Sequence, residues 1–179
     1  MSLVTKIAVY RAIVLTSLLY GSETWTLCRH QIRKLDQFHL RCLRSVAGIK
    51  SQDRIANAEV LRTCGISCIE AFLLQAQFRW IGHVVRMSST RIPKQVLCGQ
   101  LARGKRLPGR RHKRYKDGLK QNLKTCGISP NDLNSAPLAG ASWQSRCQDA
   151  MDDFEATRLD AIQAKRQARK TTTIRTTGQ

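Results

Sequence analysis

Acidic residues are scarce in this chain: 12 Asp and Glu stand against 31 Lys and Arg, a formal net charge of +19 over 179 residues. So large an excess of one sign opposes compaction by self-repulsion and attracts polyanions. It argues against a soluble metabolic enzyme and for a nucleic-acid partner. Long apolar runs are missing as well. The longest, Ala12–Tyr20, is nine residues with Thr16 and Ser17 among them, against the roughly 20 that a membrane helix needs. No membrane span is expected. A secretory leader is disfavoured because Leu19 stands where a small residue should precede a cut after Gly21. The cysteines also lack the pattern of a disulfide framework. Cys28, Cys42, Cys64, Cys68, Cys98, Cys126 and Cys147 are odd in number and scattered, which reads as reduced thiols of a nuclear or cytoplasmic protein. What remains is enough to fold: 42% of the residues are hydrophobic, and a chain of this length buries roughly 70% of its unfolded surface.

Alternating strand patterns and hairpin dipeptides are absent from the first 87 residues, and apolar residues recur at helical spacing between glycine stops, so the fold class expected is all-α. Residues 1–87 read as a helical bundle, 88–116 as a basic linker or arm, 117–170 as a smaller C-terminal helical segment and 171–179 as a disordered tail. A first helix over 4–20 is apolar on most sides and is expected to be the buried member. A second, over 23–47, is expected to start at a Ser22 or Thr24 cap and stop at Gly48. Its apolar stripe is Cys28, Ile32, Leu35, His39, Cys42 and Val46. Arg29, Arg33, Lys34, Arg41 and Arg44 fall on the opposite arc, with Asp36 the only acid near them. A short helix over 54–63 precedes a Ser67-x-x-Glu70 capping box, which opens a helix over 68–87 with Ile69, Phe72, Leu73, Ala76, Trp80, Val84 and Met87 in one stripe. Further helices are expected over 115–125 and 143–170. No internal repeat is evident.

The densest charge is the arm, with eight Lys or Arg in the fourteen residues Arg103–Lys116 and no acid. Its Arg103, Lys105, Arg106, Arg110, Arg111, Lys113, Arg114 and Lys116 join the five cations of the second helix as candidate phosphate contacts, guanidinium as a planar fork and ammonium as a point charge. Such contacts position a nucleic acid without reading its sequence; nuclear import is a use the arm can share. Trp80 and Trp143 sit on apolar stripes, so core packing is favoured over base stacking.

Catalytic and metal chemistry find no such support. His39-x2-Cys42 and Cys64-x3-Cys68 followed by His83 invite a zinc site, yet a structural zinc needs two close ligand pairs on turns, whereas His39 and Cys42 lie within a helical stripe. Asp152-Asp153 lie on an expected helix, where neighbouring side chains diverge by about 100°, so they do not form a metal-holding pair. No nucleophilic triad or phosphate-cradling loop is visible, and no catalytic residue, metal ligand or cofactor is assigned. A zinc-stabilised cellular interaction module is the alternative function class.

Four segments carry a family resemblance: Tyr20-Gly-Ser-Glu-Thr-Trp25, Phe38-His-Leu-Arg-Cys-Leu-Arg-Ser-Val-Ala-Gly-Ile49, Phe78-Arg-Trp-Ile-Gly-His-Val-Val-Arg-Met87 and Gly109-Arg-Arg-His-Lys-Arg-Tyr-Lys-Asp117. In order and spacing they resemble the C-terminal region of a non-LTR (LINE-type) retrotransposon reverse transcriptase, an RNA-directed DNA polymerase. The last segment has Arg111 and Tyr115 where the family wording has Pro and Trp, and no Cys-x2-Cys knuckle is present. The resemblance implies a helical thumb that grips the template and nascent-strand duplex, followed by a nucleic-acid-binding segment. The palm with its catalytic aspartates would precede Met1, so it implies a non-catalytic fragment whose partner is an RNA–DNA or DNA duplex, or a decayed product without function. No membrane or small-molecule substrate is indicated.

Overall fold

The structure, a computed structural model, describes residues 1–99, 115–129 and 140–177. Among these residues every regular element is helical and none is a strand, so the fold is all-α. The elements are α1 (Leu3–Val9), continued by a π-helical segment (Tyr10–Leu15) and α2 (Thr16–Leu18); α3 (Arg29–Ala47); α4 (Asn57–Cys64); α5 (Ile69–Arg86); α6 (Ile92–Cys98); α7 (Tyr115–Thr125); and α8 (Gly140–Thr177).

The central member is α5 rather than the first helix. Ile69, Ala71, Leu73, Leu74, Phe78, Ile81, Gly82 and Val84 are all buried along it, because its two ends serve different clusters. Towards its N-terminus Ile69 and Ala71 join Ile7, Tyr10, Leu15, Leu40, Leu43, Val60 and Leu61. Further along, Leu74, Phe78 and Ile81 pack with Leu119, Leu123, Trp143, Cys147 and Met151. Phe154 touches both clusters. A boundary after Met87 therefore runs through the second cluster, half of which comes from α7 and α8. The first helix, expected to be enclosed, lies at the edge: Ile7, Tyr10 and Leu15 face inward, while Val4 and Ile13 are 80% and 62% exposed.

Several boundaries differ from the sequence expectation for local reasons. The second helix starts at Arg29 and not near residue 23. Ser22–Thr24 form a 3-10 turn, residues 25–28 have no regular structure, with Trp25 and Cys28 extended, and Cys28 is the N-cap, its amide donating to Gln31 Oε1 at 2.8 Å. This stretch is held from α5, where Gln77 Nε2 donates to the Trp25 carbonyl at 3.1 Å. The fourth helix starts at Asn57 because Lys50–Asp53 closes a 3-10 turn, with the Lys50 amide on Asp53 Oδ2 at 2.8 Å. The capping box does not form either. Cys68 is the N-cap of α5, and its amide donates to Glu155 Oε1 of α8 at 2.8 Å. A carboxylate there also suits the positive end of the helix dipole. The last helix passes Lys170, and the tail read as disordered is helical as far as Thr177.

One short repeat does exist. Thr-Cys-Gly-Ile-Ser occurs at 63–67 and again at 125–129, and both copies stop a helix in the same way. Gly65 and Gly127 take φ of +57° and +67°, a conformation glycine adopts without a Cβ penalty. The isoleucine amide then reaches back to the helix, Ile66 to Leu61 O at 3.2 Å and Ile128 to Leu123 O at 2.9 Å. Both isoleucines are buried, which completes the hydrophobic half of a Schellman stop.

α5 and α8 approach unusually closely. A Cβ added at Gly82 would lie 2.2 Å from Trp143 Nε1. The indole cannot retreat freely, because it is 3% exposed and its Nε1 donates to the Phe78 carbonyl at 2.9 Å.

Candidate nucleic-acid interface

The cationic arc of α3 divides in two. Arg29 pairs with Glu70 of α5, and Arg44 Nη2 donates to the Ile55 carbonyl at 2.6 Å and to Asn57 Oδ1 at 3.0 Å, tying α3 to the start of α4. Both have partners within the chain, although the Arg29 side chain stays 71% exposed. Arg33, Lys34 and Arg41 are exposed, and no described residue takes an ion pair or hydrogen bond from them. At 100° per residue these three span about 100° of the helix surface. Lys116 is half-buried in the first turn of α7. Arg103, Lys105, Arg106, Arg110, Arg111, Lys113 and Arg114 lie outside the described residues.

The core face of α3 is rotated by about 60° from the expected stripe at 100° per residue. His39, Leu40 and Leu43 are its buried residues, while Cys28, Ile32, Leu35, Cys42 and Val46 are half-buried at its border. Helices α1, α4 and α5 all pack on α3, so the covered arc is wider than one stripe. Asp36 belongs to this side. Its Oδ1 is buried without a hydrogen-bond partner among the described residues, and no ion pair joins it to the open cations.

His39 is fully buried and joins three segments. Its Nε2 lies 3.1 Å from the Ser67 carbonyl and its Nδ1 2.9 Å from the Tyr10 hydroxyl. A carbonyl only accepts, so Nε2 carries the proton and donates to Ser67, and the Tyr10 hydroxyl donates to Nδ1. Burial lowers the His39 pKa, against the raising pull of the Ser67 hydrogen bond and of Asp36 and Glu155. Burial likewise pushes the Tyr10 phenol above its ordinary range. Both ring nitrogens are thus spent on packing contacts, and no three His, Cys, Asp or Glu side chains converge among the described residues.

The tryptophans part company. Trp143 is buried, as its stripe suggested, but Trp80 is half-buried and lines an open groove with Arg79, His83 and Arg86. Its stripe is inward only in part: Ile69, Leu73 and Val84 are buried, while Phe72, Ala76, Trp80 and Met87 are half-buried and Phe78 and Ile81, off the stripe, are buried. Trp25 is half-buried in the stretch before α3. No helix among the described residues is long and apolar enough to cross a membrane. Compared with protein-family models, with curated proteins and with solved structures, the chain matches none.

Proposed function

We propose that this chain is a non-catalytic, thumb-like, nucleic-acid-binding fragment of a retrotransposon reverse transcriptase, gripping an RNA–DNA or DNA duplex by its phosphates. One observation supports the reading above the others: Arg33, Lys34 and Arg41 stand exposed on one arc of α3 with no partner among the described residues, while Arg29 and Arg44 have partners within the chain. The arm 103–116 supplies further cations in the sequence, and a helical bundle with one cationic face suits a duplex held behind a polymerase palm. Backbone contacts of this kind favour polyanions without reading bases. The site of action proposed is nuclear or cytoplasmic.

Binding of a labelled RNA–DNA duplex, followed by anisotropy from 50 to 200 mM salt, tests the proposal. With about six phosphates neutralised, the logarithmic salt slope is roughly −5. Replacing Arg33, Lys34 and Arg41 together by serine is expected to flatten that slope by about 2.7, at 0.9 per contact. A slope near zero in the parent protein overturns the reading. On a primed template the chain is expected to extend nothing, and incorporation refutes the non-catalytic assignment.

A further inference from the structure

Away from α3, the outer face of α5 carries a second arrangement. Arg79, Trp80, His83 and Arg86 fall within about 120° of arc at 100° per residue, with the three basic side chains exposed and the indole half-buried. They line an open groove of about 460 Å³, which Glu23, Ala76 and the start of α8 complete. Trp80 is braced by His83, ring centroids 6.0 Å apart and planes at 45°, and Trp143 forms part of the lining while its own hydrogen bond to Phe78 fixes it. None of Arg79, His83 and Arg86 has an ion pair to a described residue. Along the helix Arg79 and Arg86 are separated by about 10.5 Å at 1.5 Å per residue.

A partly shielded indole at the edge of an arc that carries two guanidinium groups and an imidazole is the chemistry that receives an unpaired base. The ring offers a π-face to any nucleobase, and the basic side chains beside it along the helix meet the adjoining phosphates. A duplex does not satisfy it, since stacked and paired bases present no free face to a groove wall. An acidic peptide would use the cations and leave the indole idle.

We propose that the α5 groove binds single-stranded nucleic acid, with one base stacked on Trp80 and the adjoining phosphates on Arg79, His83 and Arg86. The site deepens the nucleic-acid reading given above and rests on it. It assigns α3 to duplex backbone and α5 to an unpaired strand, on separate helices.

The test compares three fluorescein-labelled probes at one salt concentration with the full chain: a 20-nucleotide oligothymidylate, the same backbone with abasic sites throughout, and a 20-base-pair duplex. The parent is expected to bind the oligothymidylate about 5- to 150-fold more tightly than the abasic strand, the span that one stacked base is worth. Trp80→Ala is expected to erase that difference and leave duplex binding unchanged, and Trp80→Phe to keep most of it. Arg79→Ser with Arg86→Ser, at exposed positions, is expected to weaken the base-bearing and abasic strands alike. Oligothymidylate is also expected to quench tryptophan emission in the parent and not in Trp80→Phe, a signal that a purely packing role for Trp80 would not produce. Equal affinity for abasic and base-bearing strands, or undiminished stacking preference in Trp80→Ala, overturns the groove assignment while salt-sensitive duplex binding persists. Absence of binding to all three probes refutes the broader reading as well.

Discussion

The close approach of α5 and α8 makes Gly82→Ala a demanding perturbation. The added methyl would sit 2.2 Å from Trp143 Nε1, 2.4 Å from Cδ1 and 3.0 Å from Cε2, all inside van der Waals contact, so the helices must part or the indole must turn. Overpacking of this kind costs about 1–3 kcal/mol. Turning the indole breaks its bond to the Phe78 carbonyl and strands a buried N–H, about 1–3 kcal/mol more. Alanine returns about 1 kcal/mol through helix propensity. The net is a loss of about 1–5 kcal/mol, read by urea denaturation of the whole chain. Gly140 is the matched control, since a Cβ there meets nothing within 4 Å, and Gly140→Ala is expected to stay within about 0.5 kcal/mol of the parent. Trp143→Phe removes the nitrogen nearest the methyl, so in that background the cost of Gly82→Ala is expected to shrink by about 1 kcal/mol or more. A Gly82→Ala protein as stable as its parent, or strict additivity with Trp143→Phe, refutes the steric reasoning.

Two further outcomes follow from buried titratable groups. His39 is held neutral, its pKa below the ordinary 6.5, so the unfolded chain takes up a proton that the folded chain refuses. Stability is then fully present above about pH 6.5 and is lost as pH falls from there towards the folded pKa, at up to about 1.4 kcal/mol per pH unit. Denaturation curves between pH 7.5 and 5 measure this, and His39→Gln is expected to be weaker at pH 7.5 yet flatter across the window; an unchanged slope would sink the assignment. Burial also pushes the thiols up, Cys68 to about 12 and Cys126 and Cys147 to about 11, with Cys64 raised too. A brief maleimide pulse at pH 7.5 with peptide mapping is therefore expected to label exposed Cys98 and to spare these four until the chain unfolds, whereas equal labelling would show that they open in the native state.

The helical class was legible because apolar spacing and glycine stops are local signals, and the ends at Gly65 and Gly127 belong to that set. The twice-written Thr-Cys-Gly-Ile-Ser was equally open to reading, being a plain five-residue match. Other features depend on partners far along the chain. The capping of α5 by Glu155 joins residues 87 apart, and the ion pair that gives Arg29 a partner joins residues 41 apart, so neither is visible to a helical wheel. Nor could a wheel decide which side of α5 is inward. Its apolar residues ring the helix, and only the arrival of α7 and α8 leaves Trp80 at the border with Arg79 and His83. The cations of α3 could be placed on one arc from spacing, but which of the five have partners depended on Glu70 and on the turn before α4.

The bond from Cys68 to Glu155 also sets an order of events during synthesis. At about 5–20 residues per second, the 87 residues between donor and acceptor take roughly 4–17 s to add. For that interval the nascent α5 has an uncapped amide, its first cluster lacks Phe154, and the Phe78–Ile81 surface has no α8 to cover it. The central helix of the mature fold thus waits for α8 to be capped and covered, and a ribosome pausing between Met87 and Trp143 would leave that surface open.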